Sequence, residues 1–189
     1  MFRRFVALLF IAFFGVMAVN AQDVETLKPV PKKWEPTKYE EFLLRRDAVI
    51  VSQSHNIIRD ESPFFDVSVK IAWELGQSEK LYAATINNQT VDFDQLKEML
   101  EVIDRMSNTI NNEFEKLAAT YVSYSSNMGL SITYYVYTDS SGKPQRNLSL
   151  SFKGSFLGQG PSIEPLSRLR KVIVEAREKL ISLGANKAG

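Results

Sequence analysis

The chain has 189 residues, 23 basic and 22 acidic, with a formal charge of +1, no cysteine and a single histidine, His55. These counts exclude disulfides, thiolate metal sites, cysteine nucleophiles and any multi-histidine metal centre. No metal or cofactor is expected.

Residues 1–21 carry Arg3 and Arg4, no acid, and five of the twelve phenylalanines. The apolar run Phe5–Val19 (FVALLFIAFFGVMAV) falls short of the ~20 residues that a membrane-spanning helix needs. Val19-Asn20-Ala21 fits a small-x-small cleavage site, so this segment reads as a secretory signal that ends before Gln22. Without it the balance is 21 basic to 22 acidic residues, a charge of −1. The expected location is secreted or periplasmic, soluble after cleavage, with no stable membrane insertion. The lack of cysteine in an exported chain favours a bacterial periplasm.

Residues 22–39 hold Pro29, Pro31 and Pro36 among several lysines. Proline fixes φ and removes backbone donors, which predicts an extended arm. Trp34 is the arm's one large apolar side chain and a candidate anchor. Residues 40–189 suit one domain.

Ala48–Val51 is rich in strand formers and starts a first strand, and residues 55–63 read as a connection. Phe65, Val67, Val69, Ile71 and Trp73 then alternate with polar or small residues, the pattern of a strand with one buried face. Residues 75–80 turn the chain into a strand over 81–87. Asp92 with Gln95 resembles a capping box, and Leu96, Met99, Leu100, Ile103, Met106 and Ile110 recur at helical spacing. Strands follow over 120–125, 131–138 and 146–153. Gly154–Pro161 reads as a glycine-rich loop. A helix over 163–182 carries Leu166, Leu169, Val172, Ile173, Ala176 and Leu180 on one stripe and stops before Gly184.

The prediction is an α+β fold: a mainly antiparallel sheet packed on one face by two amphipathic helices. The order βββα-βββα suggests a pseudo-repeat. Glu41-Phe42 before Val49 and Glu113-Phe114 before Tyr121 echo each other within it.

Catalytic signatures are absent. His55 lies in a polar stretch, and the chain has neither a G-x-S-x-G elbow nor an H-E-x-x-H motif. Glu98, Glu101 and Asp104 fall on the polar side of the first long helix. The glycine-rich loop lacks both G-x-G-x-x-G and the Walker lysine.

Tyrosine is the richer signal. On strand 131–138, Tyr135 and Tyr137 share one face and Tyr134 takes the other with Ile132 and Val136. Tyr121, Tyr135 and Tyr137 are the candidate ligand or partner surface, since tyrosine offers contact area with a polar tip. Charge is also divided: residues 22–142 sum to −7 and residues 143–189 to +6. The asymmetry suits contact between the two halves.

The leading functional reading is a non-catalytic exported module that contacts a protein or small ligand in the cell envelope, and no nucleic acid. The alternatives are a carrier or hydrolase with a concave site between sheet and helices, and an assembly factor that uses the N-terminal arm.

Overall fold

A computed structural model describes residues 34–57, 65–112 and 121–186. The signal segment, residues 22–33 of the arm and the Glu113-Phe114 half of the echo lie outside them. In chain order the elements are α1 (Lys38–Leu43), β1 (Ile50–Asn56), β2 (Val67–Glu74), β3 (Lys80–Ile86), β4 (Gln89–Asp92), α2 (Phe93–Asn112), β5 (Tyr121–Ser125), β6 (Leu130–Thr138), β7 (Pro144–Phe152), β8 (Ser155–Gly160) and α3 (Glu164–Ser182).

The class is α+β, as the alternation and helical stripes predict. The strands form two antiparallel four-stranded sheets, β1-β2-β3-β4 and β5-β6-β7-β8. Two sheets thus stand where one was expected, and each series has four strands before its helix. The added strands are β4 and β8. Residues read as a glycine-rich loop are strand β8, paired to β7 across a bulge at Leu150/Ser151. His55, read as part of a connection, lies in β1 opposite Val69. It is half-buried, and its Nε2 is buried with no hydrogen-bond partner.

One apolar cluster serves both sheets and both long helices. Val67 and Val69 of β2, Ile86 of β3, Ile132 of β6 and Leu148, Leu150 and Phe152 of β7 join Leu96, Met99 and Ile103 of α2 and Leu166, Leu169 and Ile173 of α3. Each large apolar side chain taken fully out of water contributes about 1.5–3 kcal/mol. Arg170 of α3 reaches Asp104 of α2 at 2.6 Å, a link between the basic tail and the acidic first part. The sheets meet where Lys153 Nζ donates to the Thr90 carbonyl at 2.8 Å and Gln89 Nε2 donates to Ser155 Oγ at 3.0 Å.

Turn chemistry sets the hairpins. Asn87 and Asn88 (φ 47° and 66°) join β3 to β4, and Lys153-Gly154 (φ 46° and 80°) joins β7 to β8. Two consecutive positive φ values match the twist of two-residue hairpins. Gly129, at φ +98°, closes the β5–β6 turn, and a Cβ there would come within 3.2 Å of the Lys153 backbone. After α3, the Gly184 N–H donates to the Ile181 carbonyl and the Ala185 N–H to the Leu180 carbonyl, both at 3.0 Å. That double bond pattern is the Schellman stop that a glycine at this place predicts.

The stretch read as an extended arm ends in a helix, since Lys38 and Tyr39 begin α1. Thr37 caps it: its Oγ1 accepts from the Glu40 N–H at 3.2 Å, and Glu40 Oε2 accepts from the Thr37 N–H at 2.8 Å. Tyr39, 2% exposed, packs with Ala72 and Ala83 on the outer face of the first sheet. Glu40 is pulled two ways. Its partial burial favours protonation, but hydrogen bonds from Thr37 and Thr90 and the charge of Lys153 prevail, holding its pKa below the ordinary 4.5. A lowered carboxylate pKa contributes stability that is present above the unfolded value and lost as pH falls through the folded one. The melting temperature is therefore expected to fall as pH drops below 4.5. A Glu40→Gln variant should lose part of that dependence. An acid limb of the same slope in both proteins would remove Glu40 from this role.

Candidate binding face on the second sheet

The outer face of the second sheet follows from its register. Tyr121 lies opposite Tyr135, and Tyr135 opposite Asn147. The next row runs Ser123, Thr133, Ser149, Gln159, and the one after it Ser125, Ser131, Ser151, Phe156. Tyr137 pairs with Gln145 beside the β6–β7 turn. The opposite face of the same strands carries Leu130, Ile132, Tyr134, Leu148 and Leu150, which enter the core. Alternation along β5, β6 and β7 separates the two faces, and the bulge against β8 sets Phe156 and Gln159 on the same side.

The structure places all three candidate tyrosines on this one face. Tyr121 is 62% exposed, Tyr137 49%, and Tyr135 is half-buried between its neighbours. The Tyr135 and Tyr137 rings lie 5.9 Å apart, tilted by 36°. Tyr134 is buried, as its place beside Ile132 and Val136 predicts. At the far corner Phe156 is 61% exposed. The sequence offered it no surface role, because the residues around it read as a loop.

Among the described residues, none of the four strands turns a charged side chain to this face. Arg146 is the one charged residue of the four strands, and it registers with Val136 on the other side. What fills the face is hydroxyl and amide. Asn147 Nδ2 donates to the Tyr135 hydroxyl at 2.7 Å. This leaves the Asn147 carbonyl oxygen as an acceptor and the Tyr135 O–H as a donor. Ser125 and Ser131 hydroxyls lie 3.4 Å apart. At the rim, the β6–β7 turn is held by Asp139, whose carboxylate accepts from Ser141, Lys143 and Gln145. Those hydrogen bonds, the Ser141 hydroxyl first, hold its pKa at about 2. Gln145 Nε2 is engaged there at 2.8 Å.

The chain matches no protein-family model, no curated protein and no solved structure. Its function has to be read from its own surfaces.

Other concave places are modest. A cavity of about 230 Å³ between β8 and α3 is lined by Phe65, Gly158, Gly160, Pro165 and Arg168. A more open groove of about 430 Å³ runs past Lys38, Lys80, Tyr82, Asp92 and Asp94. Its two carboxylates are already engaged: Asp92 accepts from the Lys38 and Tyr39 N–H groups, and Asp94 pairs with Lys38 at 2.6 Å. Among the described residues no group of three His, Asp or Glu side chains is placed to hold a metal, and no helix is long and apolar enough to cross a membrane. Glu98 and Glu101 stand exposed on α2.

Proposed function

We propose that the protein is an exported, non-catalytic recognition module whose working surface is the outer face of the second sheet, used against a component of the cell envelope. The observation that carries this reading is the gathering of Tyr121, Tyr135 and Tyr137 on one open, charge-free face. Tyrosine with serine and asparagine is the composition of surfaces built for recognition: rigid amphipathic rings supply area, and small polar groups supply adaptable hydrogen bonds. Export rests on Arg3, Arg4 and the apolar run that follows. The space between sheets and helices is filled by Leu96, Met99, Ile103, Leu166 and Leu169, all fully buried, which favours the surface over an interior carrier site.

Hydroxyl-radical footprinting tests this without assuming the class of partner. With envelope extract added to the purified protein, Tyr121, Tyr137 and Phe156 should be labelled several-fold more slowly. Exposed Leu44 and Leu75, which lie off this face, should not change. Equal labelling of the tyrosines with and without extract would remove the basis for the proposal.

A further inference from the structure

We infer that the occupant of this face is an uncharged polysaccharide; the inference rests on the recognition surface proposed above and names its ligand. Charge decides first. Nucleic acids, anionic glycans and acidic lipid surfaces are held chiefly through lysine and arginine, and the four strands present neither on this side. Cationic partners need carboxylates; among the described residues Asp139 stands at the rim, and its carboxylate is occupied by its own turn.

The layout of the face then separates a glycan from a protein. A protein interface has an apolar centre and a polar rim. Here the order is reversed. The middle rows are Ser123, Thr133, Ser149, Ser131 and Ser151, while the aromatic rings stand at the ends, the tyrosines at one and Phe156 at the other. A serine or threonine hydroxyl offers one donor and two acceptor sites, and an amide offers both kinds. Sugar hydroxyls likewise donate and accept, so a neutral sugar chain can be matched without burying an unpaired charge. The apolar C–H face of a pyranose ring suits an exposed tyrosine ring, whose hydroxyl stays in water. Four strands at about 4.8 Å spacing give a platform roughly 14 Å wide, enough for a short run of rings laid from Tyr121 and Tyr135 toward Phe156. The Asn147–Tyr135 bond fixes the orientation of one ring and one amide before the ligand arrives, which lowers the ordering cost of binding.

The test is retention of the full chain, expressed with its leader in an exporting host, on insoluble cellulose, xylan, mannan and chitin, with alginate beads and anionic vesicles beside them. Retention is expected on at least one neutral polymer and should survive about 0.5 M salt, where charge attraction is largely screened. Tyr135→Ala and Tyr121→Ala should each weaken it about tenfold. Tyr135→Phe, which keeps the ring, should lose less. Circular dichroism at the temperature of the binding test verifies that each variant is folded. No retention on any neutral polymer, with the footprint by envelope extract intact, overturns the ligand class and leaves the surface standing. Retention that ignores both tyrosine variants, or that is confined to alginate or vesicles, overturns the inference as well. Loss of the footprint itself overturns the surface reading beneath it.

Discussion

Phe152→Ala is expected to lower the unfolding free energy by about 3–5 kcal/mol, the largest effect of any single truncation named here. Phe152 has no solvent exposure and is the bulkiest of the fully buried side chains. It ends β7 opposite Leu130, directly before the tight Lys153-Gly154 turn. Truncation removes the transfer gain of the ring and leaves a cavity that a close-packed interior only partly refills. It also takes away the surface under Lys153, whose ammonium lies 5.7 Å from the ring centroid while donating to the Thr90 carbonyl of β4. Urea unfolding followed by circular dichroism measures the cost, with Phe152→Leu as the milder comparison. The shape of the curve carries a second result. One cluster includes Val69 and Ile86 from the first sheet and Leu150 and Phe152 from the second, so the variant should still unfold in one transition. Two separated transitions would mean that each sheet keeps a core of its own. A cost below about 1 kcal/mol would contradict the burial of the ring.

Where one residue type repeats with one period, the fold was legible. Val67, Val69 and Ile71 announce β2, and the leucine and isoleucine stripes announce α2 and α3. The elements that escaped are those whose pairing partner supplies most of the signal. β4 has only four residues, Gln89–Asp92, too few for alternation to register. Its turn is Asn87-Asn88, whose positive φ values asparagine tolerates without the glycine that usually marks such hairpins. β8 was hidden by Gly158 and Gly160. Gly158 takes φ +157°, a backbone that other residues rarely adopt, whereas a Cβ on Gly160 would only reach ordinary contact with Pro165 of α3, at 3.4 Å. α1 was hidden by the prolines before it. Pro36 stands just outside the Thr37 cap, where a missing N–H costs the helix nothing.

The candidate face was legible in part for the same reason. The period-two rule assigned Tyr135 and Tyr137 to one side and Tyr134 to the other from a single strand. It could not show that Asn147 lies opposite Tyr135, or that Ser149 continues the row from Thr133, because register is a property of two strands. The side taken by Arg146 was legible in one strand: it falls in the polar run Gln145–Asn147 but shares its parity with Leu148, Leu150 and Phe152.

Asp92 shows how far a local motif reaches, and it yields the second large expected effect. The sequence places it at the start of α2 with Gln95, and the Asp92 N–H does donate to Gln95 Oε1 at 3.3 Å. Its carboxylate, however, turns to a helix more than fifty residues earlier. Oδ2 accepts from the Lys38 N–H at 2.8 Å and Oδ1 from the Tyr39 N–H at 3.1 Å. With Thr37 serving Glu40, these satisfy the otherwise unpaired donors of the first turn of α1. A six-residue helix does not hold its shape alone in water, so α1 exists because it is docked. Hydrogen bonds to a charged group contribute about 1.5–3 kcal/mol, and donors left buried add a penalty. Asp92→Ala should therefore cost about 2–3 kcal/mol. The loss should be local first: hydrogen exchange over residues 38–43 should approach that of an unprotected chain while α2 stays slow. Asp92→Asn retains one acceptor and should fall between. Asp94→Ala is the discriminating control, because it removes only the ion pair between the exposed side chains of Lys38 and Asp94 and should cost less than about 1 kcal/mol. If the two alanine variants cost the same, surface charge rather than capping holds α1. If Asp92→Ala leaves exchange in α1 unchanged, the packing of Tyr39 against Ala72 and Ala83 suffices by itself.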